Sequence, residues 1–447
     1  MAKIRALIGW RPVSSGSIEG EMTSKPLQKP MASMQFDGTT IAGRAMDSIR
    51  SADTTSVERV TIWSSASCVD SDLWEMVRQP DDVFMDLRLL GVTENALVNT
   101  DQFWFLLVRD EGGMPSAICC AWLTSIQGTL LADNSRVVRC LKLASRIVPA
   151  LNHHPVLFCG MPVSAGQSNL RIRPGASVED VVERLNAAME WIASRQAARF
   201  IAWKEFAHDE QHIVSALRNI GYLVADSLPM NEYLNPAASF DQFLLEHHKK
   251  KRWDIRKTRK SLTDRIRLHV TSQPDDVRQL YSDDVHQLYY AVLRRSEHRL
   301  EELPADFFRE LSAQFGRDFI SCFLMEDERV IAFGNILIAG STAYVLYVGI
   351  DYRLNAEYSL YFNMMYSLMQ ESLKLNVQCV SWGQTVDEFK RSKLCCTQSS
   401  RTVCLKGTVS WCRWLLSAAG PHLFPTRRIE PAASARTATQ SPVPRAA

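Results

Sequence analysis

No apolar run in these 447 residues reaches the roughly 18 residues that a membrane-spanning helix needs. The eleven cysteines are scattered and form no C-x-x-C pair, which argues against zinc knuckles and redox dithiols and leaves reduced thiols as the expectation. The charged start "MAKIRALIGW" is followed by too short an apolar stretch for a secretory signal. The expected location is therefore cytoplasmic. Phosphate-binding P-loops, dinucleotide-binding glycine turns and the nucleophile elbow of α/β-hydrolases are all missing. "HDEQH" places His208 and His212 one helical turn apart, but Asp209 stands where a zinc-protease helix carries its glutamate. No metal site is expected.

Broad charge is missing too. Lys and Arg number 51 against 49 Asp and Glu. One segment stands out, "KKKRWDIRKTRK" at 249–260, where eight of twelve residues are cationic and Asp254 is the only acid. It carries +7, and the rest of the chain is net negative. A general nucleic-acid surface spreads its basicity more widely. On a helix, Lys249, Arg252, Arg256 and Lys260 share one face. That face is read either as a solvated helix between domains or as a seat for an anionic ligand, with Arg252 and Arg256 as its contacts.

What is present is patterned sequence between two low-complexity ends. Residues 1–55 read as a disordered leader, and 429–447, "PAASARTATQSPVPRAA" with its flank, as a disordered tail. The interior states one order of elements twice. "FWFLLVR" and "SAICCAWLT" flank the turn "DEGGMP", followed by the strand "PVLFCGMPV", a helix that opens with Ser177 and Asp180, and the strand "FIAWKEF". Later, "FISCFLM" and "VIAFGNILIA" flank "EDER", followed by "AYVLYVGI", a helix over about 356–374 and "VQCVSWGQ". The expectation is a first domain at 56–235, a basic helical connector at 236–270 and a second domain at 271–428.

This doubled order resembles two tandem GNAT acyltransferase domains, an α/β fold with mixed, largely antiparallel sheets. The resemblance is carried by "KKKRWDIRKTRKS", "RRSEHRLEELPADFF" and the run from "GNILIAGSTAYVLYVGIDYRLNAEYS" to "SWGQTVDEFKRSKL". It is similar to the Fem-type N-acyltransferases, the family with a BioF2-like acetyltransferase domain. The resemblance implies an N-acyltransferase moving an acyl group from an activated donor, foremost acyl-CoA as a co-substrate, to a small-molecule amine. No tightly bound cofactor is implied. One alternative is a Fem-like enzyme that uses aminoacyl-tRNA, so that tRNA becomes a partner. Another is a non-catalytic binding protein on degenerate GNAT domains. The loop "DYRLNAEYS" lacks the glycines that let backbone amides approach a pyrophosphate, which favours the last.

Acyl transfer needs a base for the amine, polarisation of the carbonyl and a proton for the leaving group. Glu388, Lys390 and Tyr347 lie at or beyond the carboxyl ends of the second copy's central strands. Glu388 is read as base or amine-orienting group, Lys390 as the oxyanion stabiliser and Tyr347 as acid. Gln384 at a strand end, with Glu297 and His298 in "RRSEHRLEE", is read as substrate-binding. Tyr358 and Ser359, entering the helix after the fourth strand, are the implied donor-binding pair. Each of these is also an ordinary residue type for an exposed, salt-bridged surface.

Overall fold

The computed structural model describes residues 54–57, 59–127, 153–296, 301–385 and 387–423. The expected leader up to residue 53 and the tail lie outside these, as do Glu297 and His298. In chain order the first part holds β1 (Thr54–Val57), β2 (Val60–Trp63), helix α1 (Leu87–Leu97), β3 (Gln102–Arg109), β4 (Pro115–Gln127), β5 (His153–Cys159) and β6 (Leu170–Ile172). Then come α2 (Val178–Arg195), β7 (Phe200–Phe206), α3 (Gln211–Asn219), β8 (Leu223–Asp226) and β9 (Met230–Leu234). Next are α4 (Phe240–Leu245), the basic helix α5 (Lys249–Arg259), β10 (Ile266–Thr271), α6 (Pro274–Leu280), α7 (Asp283–Leu293) and α8 (Ala305–Phe315). The remainder is β11 (Phe319–Glu326), β12 (Arg329–Ala339), β13 (Thr342–Ile350), α9 (Leu360–Lys374), β14 (Cys379–Ser381), α10 (Asp387–Lys393), β15 (Thr397–Ser399), β16 (Thr402–Gly407) and α11 (Ser410–Leu423).

Alternation along the strands sorts their side chains to two faces. Phe103, Phe105 and Leu107 of β3 join a central core, while Trp104, Leu106 and Val108 join an outer one under α2 and α3. On the second sheet, Phe319, Phe323 and Phe333 face the central core, and Cys322, Leu324 and Ile336 face α9. The central layer is filled by helices from both halves, with Leu89 and Leu90 of α1 against α8, whose Phe307, Phe308 and Leu311 are fully buried. One apolar core therefore spans both sheets. Truncating Phe308 there costs about 3–5 kcal/mol.

α2 begins where Ser177 caps it, its hydroxyl accepting from the Asp180 amide at 3.2 Å. Val181, Val182, Leu185, Met189 and Ile192 form the buried stripe that this spacing demands. α5 is capped by His248 and buries only Ile255. α9 spans 360–374, shorter than the 356–374 expected, because Ser359 adopts a left-handed conformation (φ 50°) between it and a preceding single turn.

The sheets are not each built from one half of the chain. In the first, the order runs β1-β2-β3-β4-β5-β7-β16-β8, with β6 on β4. In the second it runs β10-β11-β12-β13-β14-β9-β15. Strand β16, from the end of the described chain, enters the first sheet between β7 and β8. Strand β9, from before the basic helix, enters the second between β14 and β15. The halves exchange their last strands reciprocally.

Candidate active site at the junction of the two sheets

Both sheets split at the same place. β5 and β7 pair in parallel only as far as Cys159 opposite Trp203. β13 and β14 pair in parallel only as far as Tyr344 opposite Ser381, although β13 runs on to Ile350. A wedge thus opens past the carboxyl end of each short parallel pairing.

The sequence around the two wedges is itself repeated: "AWKEF" at 202–206 and "SWGQT" at 381–385. Lys204 therefore corresponds to Gly383, and Glu205 to Gln384. In the first wedge the Lys204 side chain lies across Gly160, where a Cβ would stand 2.5 Å from Lys204 Cγ, and its Nζ donates to the Met161 carbonyl at 2.9 Å. Burial pulls the Lys204 pKa down against the opposing fields of Glu205 and Glu301. Glu205 is buried at a left-handed position (φ 67°) and accepts from Gln384 Nε2 at 2.8 Å and Ser227 Oγ at 3.2 Å. Its pKa is raised, burial outweighing Lys204 and these donors.

The second wedge has a tight turn in place of the lysine. Gly383 (φ 66°) and Thr385 (φ 68°) bend the chain so that three carbonyls converge on Lys390. Its buried ammonium donates to Trp382 O at 2.6 Å, Gln384 O at 2.7 Å and Gly383 O at 3.4 Å. Burial lowers the Lys390 pKa to about 8. The exchanged strand holds the same turn from the other side. The Asn231 amide and Nδ2 both reach Gly383 O at 3.1 Å, and Nδ2 also reaches Asp387 Oδ1 at 2.8 Å.

Tyr347 sits on β13 beyond the last residue paired with β14, its ring edge-to-face with Tyr289, Phe307 and Phe308. Burial and then Glu301 hold its phenol well above the ordinary value. Glu301, on the approach to α8, has its pKa raised to about 7 by burial, opposed by Lys204. The structure thus brings Gln384 and Lys390 into one turn and hydrogen-bonds Gln384 to Glu205 of the first wedge.

The other expected site residues fall elsewhere. Glu388 is exposed on α10, next to Phe389, whose ring packs on Tyr361 and Phe362. Arg252 is half-buried and Arg256 exposed on α5, and neither lines a described cavity. That helix is anchored by Arg259, which donates to Ser367 Oγ at 3.1 Å and Gln370 Oε1 at 2.8 Å on α9, and by Asp254 near Lys393 of α10. Tyr358 is buried and donates to Glu326 Oε1 at 3.2 Å, while its carbonyl accepts from Ser261 Oγ and Asn363 Nδ2. Lys204 and Glu205 were not singled out from sequence, whereas Glu301 belongs to the charged run "RRSEHRLEE". The signal that finds Lys204 and Glu205 is the short repeat around Trp203 and Trp382.

A cavity of 740 Å³ opens beyond the carboxyl end of β13. Arg295, Arg329, Arg353 and Tyr352 line it, together with Asp284, Glu328 and Asp351. Asp351 is almost fully buried and pairs with Arg329 at 2.5 Å and Arg353 at 2.8 Å. The Arg353 hydrogen bond holds its carboxyl below the usual range against the cost of burial. Arg295 lies over the Tyr352 ring at 3.8 Å.

Residues 249–391 match the family model described as an acetyltransferase (GNAT) domain. They form a GNAT acetyltransferase domain. The span runs from the basic helix through the Lys390 turn, and so covers the second wedge. The first half repeats its hairpin, parallel pair and intervening helix, so the chain has two GNAT-like domains in an α/β fold, with mixed and largely antiparallel sheets. A GNAT domain of this kind makes the protein a transferase. No curated protein matches the sequence. Among solved structures, the C-terminal domain (DUF2156) of a putative lysylphosphatidylglycerol synthetase from Agrobacterium fabrum is similar at 13% identity and TM-score 0.46, over 80% of this chain and 97% of that one. FemX is similar at 9% identity and TM-score 0.43, over 71% and 90%. A tandem GNAT protein from the clavulanic acid biosynthesis pathway is similar at 11% identity and TM-score 0.44, over 78% and 99%. Among the described residues, no helix is long and apolar enough to cross a membrane.

Proposed function

We propose that the protein is an N-acyltransferase that moves an acyl group from acyl-CoA to a small-molecule amine in the wedge between β13 and β14. The observation that carries this reading is the wedge itself. β13 continues past its last pairing with β14, so backbone edge is available to an extended donor arm as an added strand. Tyr347 stands within it as a proton donor for the leaving group. Lys390 holds the turn that places Gln384, and Glu388 at the solvent side orients an incoming amine. Arg295, Arg329 and Arg353, in the cavity beyond the end of β13, supply cations for a donor's phosphates in place of a glycine turn. Tyr358 and Ser359 then shape the loop at 351–359. Arg252 and Arg256 remain candidates for contacts to an anionic substrate.

A second reading has one observation in its favour. Lys249, Lys250, Arg256, Lys257 and Lys260 are exposed on α5 and make no ion pair among the described residues, and Trp253 beside them is 59% exposed. Such a face suits an RNA backbone with a base stacked on the indole, as an aminoacyl-tRNA donor requires.

Incubation with acetyl-CoA and a panel of primary amines, followed by titration of released thiol, tests the first reading. Parallel reactions with radiolabelled aminoacyl-tRNA test the second. Transfer from acetyl-CoA supports the first, and transfer only from aminoacyl-tRNA replaces it. No transfer from either overturns both.

A further inference from the structure

Just beyond β14, the amide of Gln384 has its orientation imposed from two sides. Its Nε2 donates to Glu205 Oε2 at 2.8 Å and to the Leu228 carbonyl at 2.7 Å. A main-chain carbonyl only accepts, so the NH2 group must face Leu228, and both of its hydrogens are in use. Oε1 is left on the other side. It takes no hydrogen bond among the described residues and is not among their buried, unpartnered atoms, so it reaches solvent on a half-exposed side chain. The residue cannot drift either. Its own carbonyl accepts from Lys390 Nζ at 2.7 Å, and the carbonyl of Gly383 before it is held by Asn231. Glu205 is equally fixed: it is buried at the end of β7, and Ser227 Oγ donates to its second oxygen at 3.2 Å.

Resting on the acyl-transfer reading, we propose that Gln384 sets the polarity of the acceptor site, its Oε1 accepting from an N–H of the amine, and that Glu205 of the first domain is the positioning residue that keeps this oxygen toward the ligand. An unrestrained glutamine serves donors and acceptors alike by turning its amide over. This one cannot turn, because its oxygen would then lie against the Leu228 carbonyl and the Glu205 carboxyl, with no hydrogen for either. The site therefore takes an N–H and turns away a carboxylate, which has no hydrogen to give. One N–H held on Oε1 also orients a neutral amine and leaves its lone pair clear for the donor's carbonyl carbon. The first domain, whose own wedge is filled by the Lys204 side chain, thus acts on specificity in the second.

The test measures initial rates with acetyl-CoA, and in parallel with aminoacyl-tRNA, against the panel of primary amines. The guanidinium and carboxylate analogues of the best amine serve as inhibitors. The wild type should bind the guanidinium at least about tenfold more tightly than the carboxylate. Gln384→Met should raise the amine KM about tenfold, leave kcat and the donor KM nearly in place, and abolish the preference between the inhibitors. Glu205→Met should raise the amine KM in the same way. Glu205→Gln keeps an oxygen for Gln384 Nε2 and should restore it, whereas a merely structural Glu205 would shift donor and amine KM alike. Should Gln384→Met fail to fold by circular dichroism, the Glu205 pair and the wild-type inhibitor preference decide. An amine KM unmoved by Gln384→Met, or a wild type inhibited equally by both analogues, overturns the proposal and leaves the acyl-transfer reading intact. No transfer from either donor overturns the reading and the proposal together.

Discussion

Gln384 Nε2 donates to Glu205 Oε2 at 2.8 Å, so corresponding residues of the two repeated strand ends are hydrogen-bonded to each other. The contact joins the two sheets at their wedges, where Gln384 also donates to Leu228 O at 2.7 Å. A buried bond to a carboxylate is among the stronger kind. In a double-mutant cycle of Glu205→Ala and Gln384→Ala, urea unfolding should give a coupling energy of about 1–3 kcal/mol. Additive losses would show that the two ends are held by other contacts.

Lys390 should matter for stability as well as for transfer. Its three ammonium protons are directed at three carbonyls of one turn, two of them in close contact. Lys390→Met takes that donor from the Trp382 and Gln384 carbonyls, while Gly383 O keeps Asn231. The expected loss is about 3 kcal/mol in denaturant unfolding, with transfer falling alongside. An unchanged midpoint would mean that water or Asn231 satisfies the turn instead.

Glu388 should separate from it cleanly. The side chain is exposed on α10 and makes no described contact with the core. Glu388→Ala should leave the melting temperature in place and lower transfer at least about tenfold, a loss of about 1.4 kcal/mol of transition-state stabilisation. If neither quantity moves, the glutamate is ordinary surface.

His247 gives a pH prediction. Its ring is packed edge-to-face on Phe243 and lies 3.5 Å from Cys395 Sγ. Burial first, then Lys251 and Lys393, lower its pKa to about 4. Below the ordinary histidine range the unfolded chain takes up a proton that the folded one refuses, so stability falls between about pH 6.5 and pH 4. The share due to this ring is about 1–2 kcal/mol at pH 5, discounted for residual solvent screening. His247→Gln should remove that share from the difference between pH 7.5 and pH 5. An identical difference in both proteins would assign the acid loss to other groups.

Much of the fold was legible because the relevant signals are local. The run "FIAWKEF" is the strand Phe200–Phe206, and "FISCFLM" and "VIAFGNILIA" fall on the paired strands β11 and β12. Alternation and turn residues are enough to find such elements. β14 was legible within "VQCVSWGQ", though only three of those residues pair. β9 and β16 were not, because they take their partners from the opposite half, a choice that no window of sequence records. The candidate site was legible where a motif follows a strand, as at Gln384 and Lys390. It was hidden where the decisive property is burial. Nothing in "WKEF" announces that Lys204 and Glu205 lie at the junction of two sheets, because a Lys-Glu pair reads as surface.

The exchange of β9 and β16 has a consequence for how the molecule is made. A ribosome delivers the chain from one end, and domains generally fold as they emerge. Here β7 and β8 are complete early, but the strand that must lie between them is β16, about 180 residues further on. Until it arrives, the first sheet has an open edge at β7 and a stray strand in β8, both ready to pair with the wrong partner. The first sheet therefore cannot close until almost the whole described chain has been synthesised, and a transcript truncated anywhere before residue 402 yields no finished half.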